Sequence, residues 1–173
     1  MNTTTPELTT ADSLGNAPLQ GVTDAAFNST NIPTPALSLG LAGLLPFVAS
    51  AVLMWTLDGP DAFFAERALL LYGAVILSFL GGIRWGTAML NGAAMQWHPL
   101  IISVIPSLLA WGALLLDSRY AALILIVGFA GQWLHDINGV SERKLPAWFS
   151  RLRTLLTVGA VVSLLVGFIA TFS

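Results

Sequence analysis

Long uninterrupted apolar runs dominate the chain from residue 37 onward. Five of them reach or approach the roughly 20 residues that cross a hydrocarbon layer. They cover about 37–57, 68–90, 99–116, 120–134 with an extension to 137, and 152–172. The runs are continuous, without the short alternating segments of a membrane β-barrel. In lipid a backbone N–H or C=O finds no partner outside its own segment, so such runs form helices. Asp117, Ser118 and Arg119 separate the third and fourth runs, which predicts a helical hairpin. The predicted fold is therefore all-α: an integral membrane bundle of about five transmembrane helices over 37–173, preceded by a polar tail over 1–36.

Composition agrees with this pattern. Of 173 residues, 55% are hydrophobic and 9% charged, against roughly 25% charged in a soluble domain. That is too little charge to cover a water-facing surface. A net charge of -2 gives no case for nucleic acid. Cysteine is absent, which excludes disulfides, thiolate metal sites and thiol catalysis. The tail is rich in Thr, Asn, Pro and Ala, and no Lys or Arg precedes Arg67. It thus has neither the basic start of a secretory signal nor the arginines of a mitochondrial presequence. A disordered tail or a docking segment is the expectation there.

Orientation is read from Lys and Arg near the span ends. Arg143, Lys144, Arg151 and Arg153 lie between the fourth run and the first residues of the fifth, which puts that loop, the N-terminus and the segment around Trp97 and His98 on the cytoplasmic side. The segment with Asp58, Asp61, Glu66 and Arg67 then lies outside, as does the Asp117–Arg119 turn. Leu145 to Phe149, set between basic residues, reads as an interfacial anchor with Trp148 and Phe149 at headgroup depth.

Polar groups inside a span are costly and usually face the protein interior or a cavity. Arg84, followed by Trp85, lies near the end of the second run, and Gln132, Trp133, His135 and Asp136 near the end of the fourth. These two runs share a direction, so the polar residues fall at one depth, with His98 at the same side. Gln132, His135 and Asp136 are spaced i, i+3, i+4 and share a helix face. The expectation is that Arg84 pairs with Asp136. Such a cluster is a structural clasp, or Arg84 snorkelling to lipid phosphate, or a binding site for an anion, a headgroup or a quinone-type molecule with Trp85 and Trp133 as walls; a proton-relay or catalytic role for His135 and Asp136 is the least expected. His135 and Asp136 are adjacent and point about 100° apart, so they form no catalytic dyad. Two histidines on different segments make no metal site. No catalytic residue, metal or cofactor is implied.

Small residues recur at spacings that bring helices together. Gly82 and Gly86 form one pair; Gly159, Ser163 and Gly167 form a stripe for packing or for a dimer. Pro46 and Pro106 each lie within a run that ends near an Asp, and Leu77–Gly81 parallels Val127–Gly131. Two parallel helix-hairpin repeats plus a fifth helix fit that pattern, as does chance recurrence of Pro, Gly and Trp in apolar helices.

The stretch from Tyr72 to Gly86, with its Gly-Gly-Ile-Arg-Trp-Gly core at 81–86, resembles the family catalogued as domain of unknown function 3429. The stretches from Ser38 to Phe47 and from Leu145 to Leu156 support the resemblance, which spans about 37–172. It implies a small multi-span protein of the bacterial inner membrane or, alternatively, the mitochondrial inner membrane, and carries no activity with it. The expected role is an accessory or assembly component of a larger membrane complex, partnered by the bilayer and by another membrane protein or a second copy. The alternative is a binder or transporter of a lipid-like or anionic small molecule through the polar cluster. An enzyme is the least expected.

Overall fold

A computed structural model describes residues 31–90, 97–141 and 147–172. The described chain is five helices and no strands: α1 (Thr34–Thr56), α2 (Gly59–Leu90), α3 (Trp97–Ala113), α4 (Ser118–Ser141) and α5 (Ala147–Ala170). Of these, α1, α2, α4 and α5 are long and apolar enough to cross a membrane. α3 has 17 residues and rises only about 26 Å, a little less than the roughly 30 Å of hydrocarbon. It ends at Ala113 rather than 116, because Leu115 and Leu116 turn back to the carbonyls of Gly112 and Ala113. Most of the expected tail, residues 1–30, lies outside the described residues, as do Arg143, Lys144 and Pro146.

Two boundaries differ from the hydropathy pattern in a way that matters. α2 starts at Gly59, not near 68, so Asp61, Glu66 and Arg67 are helical rather than in a loop. Gly59 has φ 60°, a left-handed conformation suited to glycine, and it lets the chain reverse after α1 through Leu57 and Asp58 alone. Asp61 in the first turn complements the helix dipole. At 32 residues and about 48 Å, α2 exceeds the hydrocarbon thickness, so charged residues ride on its first turns. The second difference is at α5, which starts at Ala147 rather than near 152 and so carries Arg151, as well as Arg153, within the helix.

α2 touches each of the other four helices, and α5 closes the bundle by packing against α1 and α4. The core is built on fully buried Leu69, Leu77, Leu125 and Leu164 with Phe47 and Phe129. Phe47 meets Phe129 edge-on at 5.9 Å and Tyr72 at 5.0 Å, and the Tyr72 hydroxyl donates to the Gly43 carbonyl at 2.9 Å. These contacts tie α1 to α2 and α4. Close approach of α2 to α3 occurs at Gly81, where a Cβ would stand 2.5 Å from the Ser103 carbonyl oxygen. The stripe on α5 turns inward: Gly159 lies against Leu44, Gly167 against Leu69 and Met54, and the buried Ser163 hydroxyl donates to the Gly159 carbonyl. By contrast, a Cβ at Gly82 or Gly86 would meet no described atom within 4 Å. The approach expected of that pair is made one residue earlier.

At one end of the bundle Arg119 of α4 donates to the Thr171 carbonyl at 3.1 Å and lies 4.4 Å over the Phe172 ring. This fixes α4 antiparallel to α5 and satisfies a carbonyl beyond the last turn of α5. The two hairpins, α1–α2 and α3–α4, are present, but the residues matched between them differ in environment. Phe79 is 63% exposed and Phe129 2%; Gly81 is pressed against α3 while Gly131 is open.

Candidate functional site

The other end of the bundle holds the charges. Arg84 stands six residues before the end of α2, Asp136 five before the end of α4, and Arg153 six after the start of α5. Each is therefore about 8–9 Å inside the same end of the bundle. Arg153 Nε donates to Asp136 Oδ2 at 2.7 Å. Arg84 Nε and Nη2 both reach Asp136 Oδ1 at 3.4 Å. The side chains are 13%, 10% and 7% exposed for Arg84, Asp136 and Arg153. One carboxylate thus links three helices and serves two guanidinium groups. The short contact is with Arg153, the long one with Arg84.

Arg153 is the residue that sequence reasoning misplaced. Its three basic neighbours made it look like part of a cytoplasmic loop facing lipid phosphate, whereas it is buried on α5. Its spacing of four residues from Thr157 and eleven from Leu164, both buried, was the available signal of an inward face. Arg151, two residues away, is exposed, as a helical period requires.

The remaining expected residues separate into two sets. Gln132 is buried on the same face of α4 as Asp136. Trp133 donates through Nε1 to Thr154 Oγ1 at 2.9 Å, and Thr154 in turn donates to the Ser150 carbonyl, which joins α4 to α5 beside the charges. Trp85 and His135 are exposed and do not wall the cluster. His98 is exposed in the first turn of α3 and is not a partner in the Asp136 ion pairs. Among the described residues no group of His, Asp and Glu could hold a metal ion.

Two spaces adjoin the charged group and share Leu80 and Arg153. The smaller, about 20 Å³, is bounded by Ile83, Arg84, Thr87, Asp136 and Phe149; it has room for about one water. The larger, about 170 Å³, lies between α1, α2 and α5 with Phe129 of α4 at its base. Its mouth is formed by the exposed Leu39 and Phe79, its floor by the buried Phe47, Phe129 and Ala160. Gly40 and Gly43 keep the α1 wall low. Arg153 and Thr157 are the polar residues in its lining. Both are buried, and among the described residues Arg153 Nη2, Thr157 Oγ1 and Gln132 Nε2, each with almost no accessible surface, have no hydrogen-bond partner. Leaving such a group unmatched costs about 1–3 kcal/mol, more for a charged one. A wider depression on the outer face of α4 and α5 is open surface, and its Thr154 hydroxyl is already engaged by Trp133.

Comparison with known proteins gives kinship without chemistry. Over 139 residues the chain is 45% identical to Transmembrane protein 69 of Xenopus tropicalis, covering 76% of this chain and 53% of that protein. It is 38% identical over 140 residues to Transmembrane protein 69 of Mus musculus, covering 78% of this chain and 55% of the relative. The chain thus spans about half the length of these curated relatives. No solved structure matches it. Residues 32–169 match the family described as "Protein of unknown function (DUF3429)", a span that contains all five helices but for the last residue of α5. The chain belongs to the DUF3429 family of membrane proteins.

Proposed function

We propose that this protein binds a lipid-like molecule in the groove between α1, α2 and α5, taking it laterally from the membrane. The observation that carries this reading is an otherwise apolar groove, open past the exposed Leu39 and Phe79, whose lining includes the buried polar residues Arg153 and Thr157. The Asp136 carboxylate, anchored from both sides, holds Arg153 in place. At about 170 Å³ the space is smaller than the roughly 300–1,000 Å³ of a pocket that encloses a whole ligand. A polar end and the first part of a chain fit inside, and the rest lies along Leu39 and Phe79 in the bilayer.

Native mass spectrometry of the protein extracted gently with its own lipids tests this. Gly43→Leu fills the groove, since a Cβ at Gly43 meets only the Tyr72 hydroxyl, at 3.8 Å. The expected result is a small lipid-like molecule retained by the wild type and lost in Gly43→Leu. A bare chain in both overturns the reading.

An assembly role rests on one observation. The open face at Gly82 and Gly86 admits a helix from another chain. A protein that co-purifies with the wild type and is lost in Gly82→Leu supports this second reading. We also place the Arg84–Asp136–Arg153 end at the cytoplasmic face of a bacterial inner membrane, or the equivalent face of the mitochondrial one. The basis is the exposed Arg151 together with Arg143 and Lys144 of the intervening segment.

A further inference from the structure

The face of α5 turned away from the α1–α2–α5 groove borders a second depression, on the outer side of the α4–α5 contact. It is lined by Ile137 of α4 and by Ser150, Arg151, Thr154, Leu155 and Val158 of α5, and measures about 560 Å³. Arg151, Thr154, Leu155 and Val158 are spaced i, i+3, i+4, i+7, so they form one stripe along the helix. Arg153, Leu156, Thr157 and Ala160, which line the first groove, lie on the opposite side of α5. The two spaces share no residue. Arg151 stands four residues into α5 and Val158 eleven, so the stripe descends about 10 Å from the charged end into the bundle.

Arg151, Leu155 and Val158 are exposed. The Thr154 hydroxyl is engaged by Trp133 and by the Ser150 carbonyl. No acidic side chain lines the depression, and Arg151 makes no ion pair among the described residues. Asp136 faces inward and serves Arg84 and Arg153. The surface is therefore cationic near the end of the bundle and apolar below. A phospholipid orders its own groups the same way, with phosphate outermost and chains beneath. A guanidinium at this depth extends towards the headgroups and lays its stem along the apolar part. A zwitterionic headgroup carries its own cation beside the phosphate, whereas an anionic one leaves a net negative charge for Arg151.

We propose that this depression is a binding site for an anionic phospholipid of the bilayer, its phosphate on the Arg151 guanidinium and an acyl chain along Ile137, Leu155 and Val158. The site is separate from the α1–α2–α5 groove and does not depend on the reading of that groove.

The test uses the full chain in nanodiscs of phosphatidylcholine and phosphatidylglycerol in equal amounts, with the same acyl chains. Retained lipids are counted by native mass spectrometry. Phosphatidylglycerol is expected to be retained about fivefold over phosphatidylcholine, the effect of one basic residue near a membrane surface. Arg151→Gln should bring that ratio below about twofold and Arg151→Lys should keep it, since a surface phosphate needs the charge more than the fork. Arg67→Gln removes an exposed charge at the opposite end of the bundle and should leave the ratio unchanged. A ratio near one in the wild type, or an equal fall in Arg67→Gln and Arg151→Gln, overturns the proposal. Val158→Trp, at a position 56% exposed, obstructs the path of the chain and should cut phosphatidylglycerol retention at least about threefold. Unchanged retention there removes the chain from the depression and overturns the proposal. These positions are exposed, so the variants should keep the wild-type thermal stability closely. Gly43→Leu fills the other groove and should leave the ratio untouched. A ratio lost in Gly43→Leu and kept in Arg151→Gln places the lipid in the α1–α2–α5 groove instead, which also overturns the proposal. So does displacement of phosphatidylglycerol by an equal concentration of soluble glycerol phosphate, which shows a headgroup site without a chain.

Discussion

Arg153 Nε donates to Asp136 Oδ2 at 2.7 Å across the α4–α5 contact, and this is the tightest ion pair among the described residues. Arg84 completes the carboxylate's coordination from α2 at 3.4 Å. The difference in length orders the consequences of removing each partner. Truncating one member of a buried pair costs about 3–5 kcal/mol, because a charge is left behind.

Arg153→Ala and Asp136→Ala should each destabilise the protein by about 3–5 kcal/mol. Arg84→Gln should cost less, about 1 kcal/mol, since it leaves a neutral Asp136–Arg153 pair and removes only two long hydrogen bonds, both at 3.4 Å. The double replacement of Arg153 by Met and Asp136 by Leu should be milder than the sum of the single losses. Unfolding titrations in mixed detergent check the order. Additive single and double losses would show that the pair is not coupled.

Helix approach is fixed at Gly81 rather than at its neighbour. Gly81→Ala places a methyl 2.5 Å from the backbone oxygen of Ser103, which cannot rotate away. A loss of about 1–3 kcal/mol is expected from the displaced α3. Gly82→Ala meets nothing described within 4 Å and should stay within about 0.5 kcal/mol. Thermal denaturation of the two variants side by side separates them.

The hydrogen bond from Trp133 to Thr154 should be worth little by itself. Thr154→Val is expected to cost about 0.6 kcal/mol, the average for interhelical hydrogen bonds in a membrane. A loss above about 2 kcal/mol would mean that Trp133 braces the charged group more directly than its 2.9 Å bond implies.

Because the chain has no native cysteine, single cysteines report orientation without background. His98→Cys and Asp117→Cys flank α3, the shortest helix. A membrane-impermeant maleimide should reach Asp117→Cys from outside intact cells and His98→Cys only after permeabilisation. Labelling of both from one side would show that α3 does not cross.

Much of this was legible in the chain. Five apolar runs gave five helices, and the depth-matching of Arg84 with Asp136 predicted a pair that is present. Hydropathy failed where charge and helix coexist. Glu66 and Arg67 hid the first turns of α2, which extend beyond the hydrocarbon, and the basic run around residues 143–153 hid a buried arginine. A window average cannot separate Arg151, which faces out, from Arg153, which faces in; only the helical period does. Gly81, Gly82 and Gly86 are equally small in sequence. Which of them meets a neighbour depends on how α2 is rotated, a tertiary fact. The groove itself depends on α1, α2 and α5 meeting around Gly40 and Gly43, and no local pattern announces it.

The most direct measurement is photolabelling with a fatty acid that carries a diazirine along its chain, followed by mapping of the modified residues. Saturable labels on the groove floor, at Phe47, Phe129 and Ala160, which bulk lipid does not reach, are the predicted result. Excess dodecanoate should remove them. Labels confined to outward residues such as Leu71 and Val75, and unaffected by competitor, would contradict a lipid-like molecule in the groove.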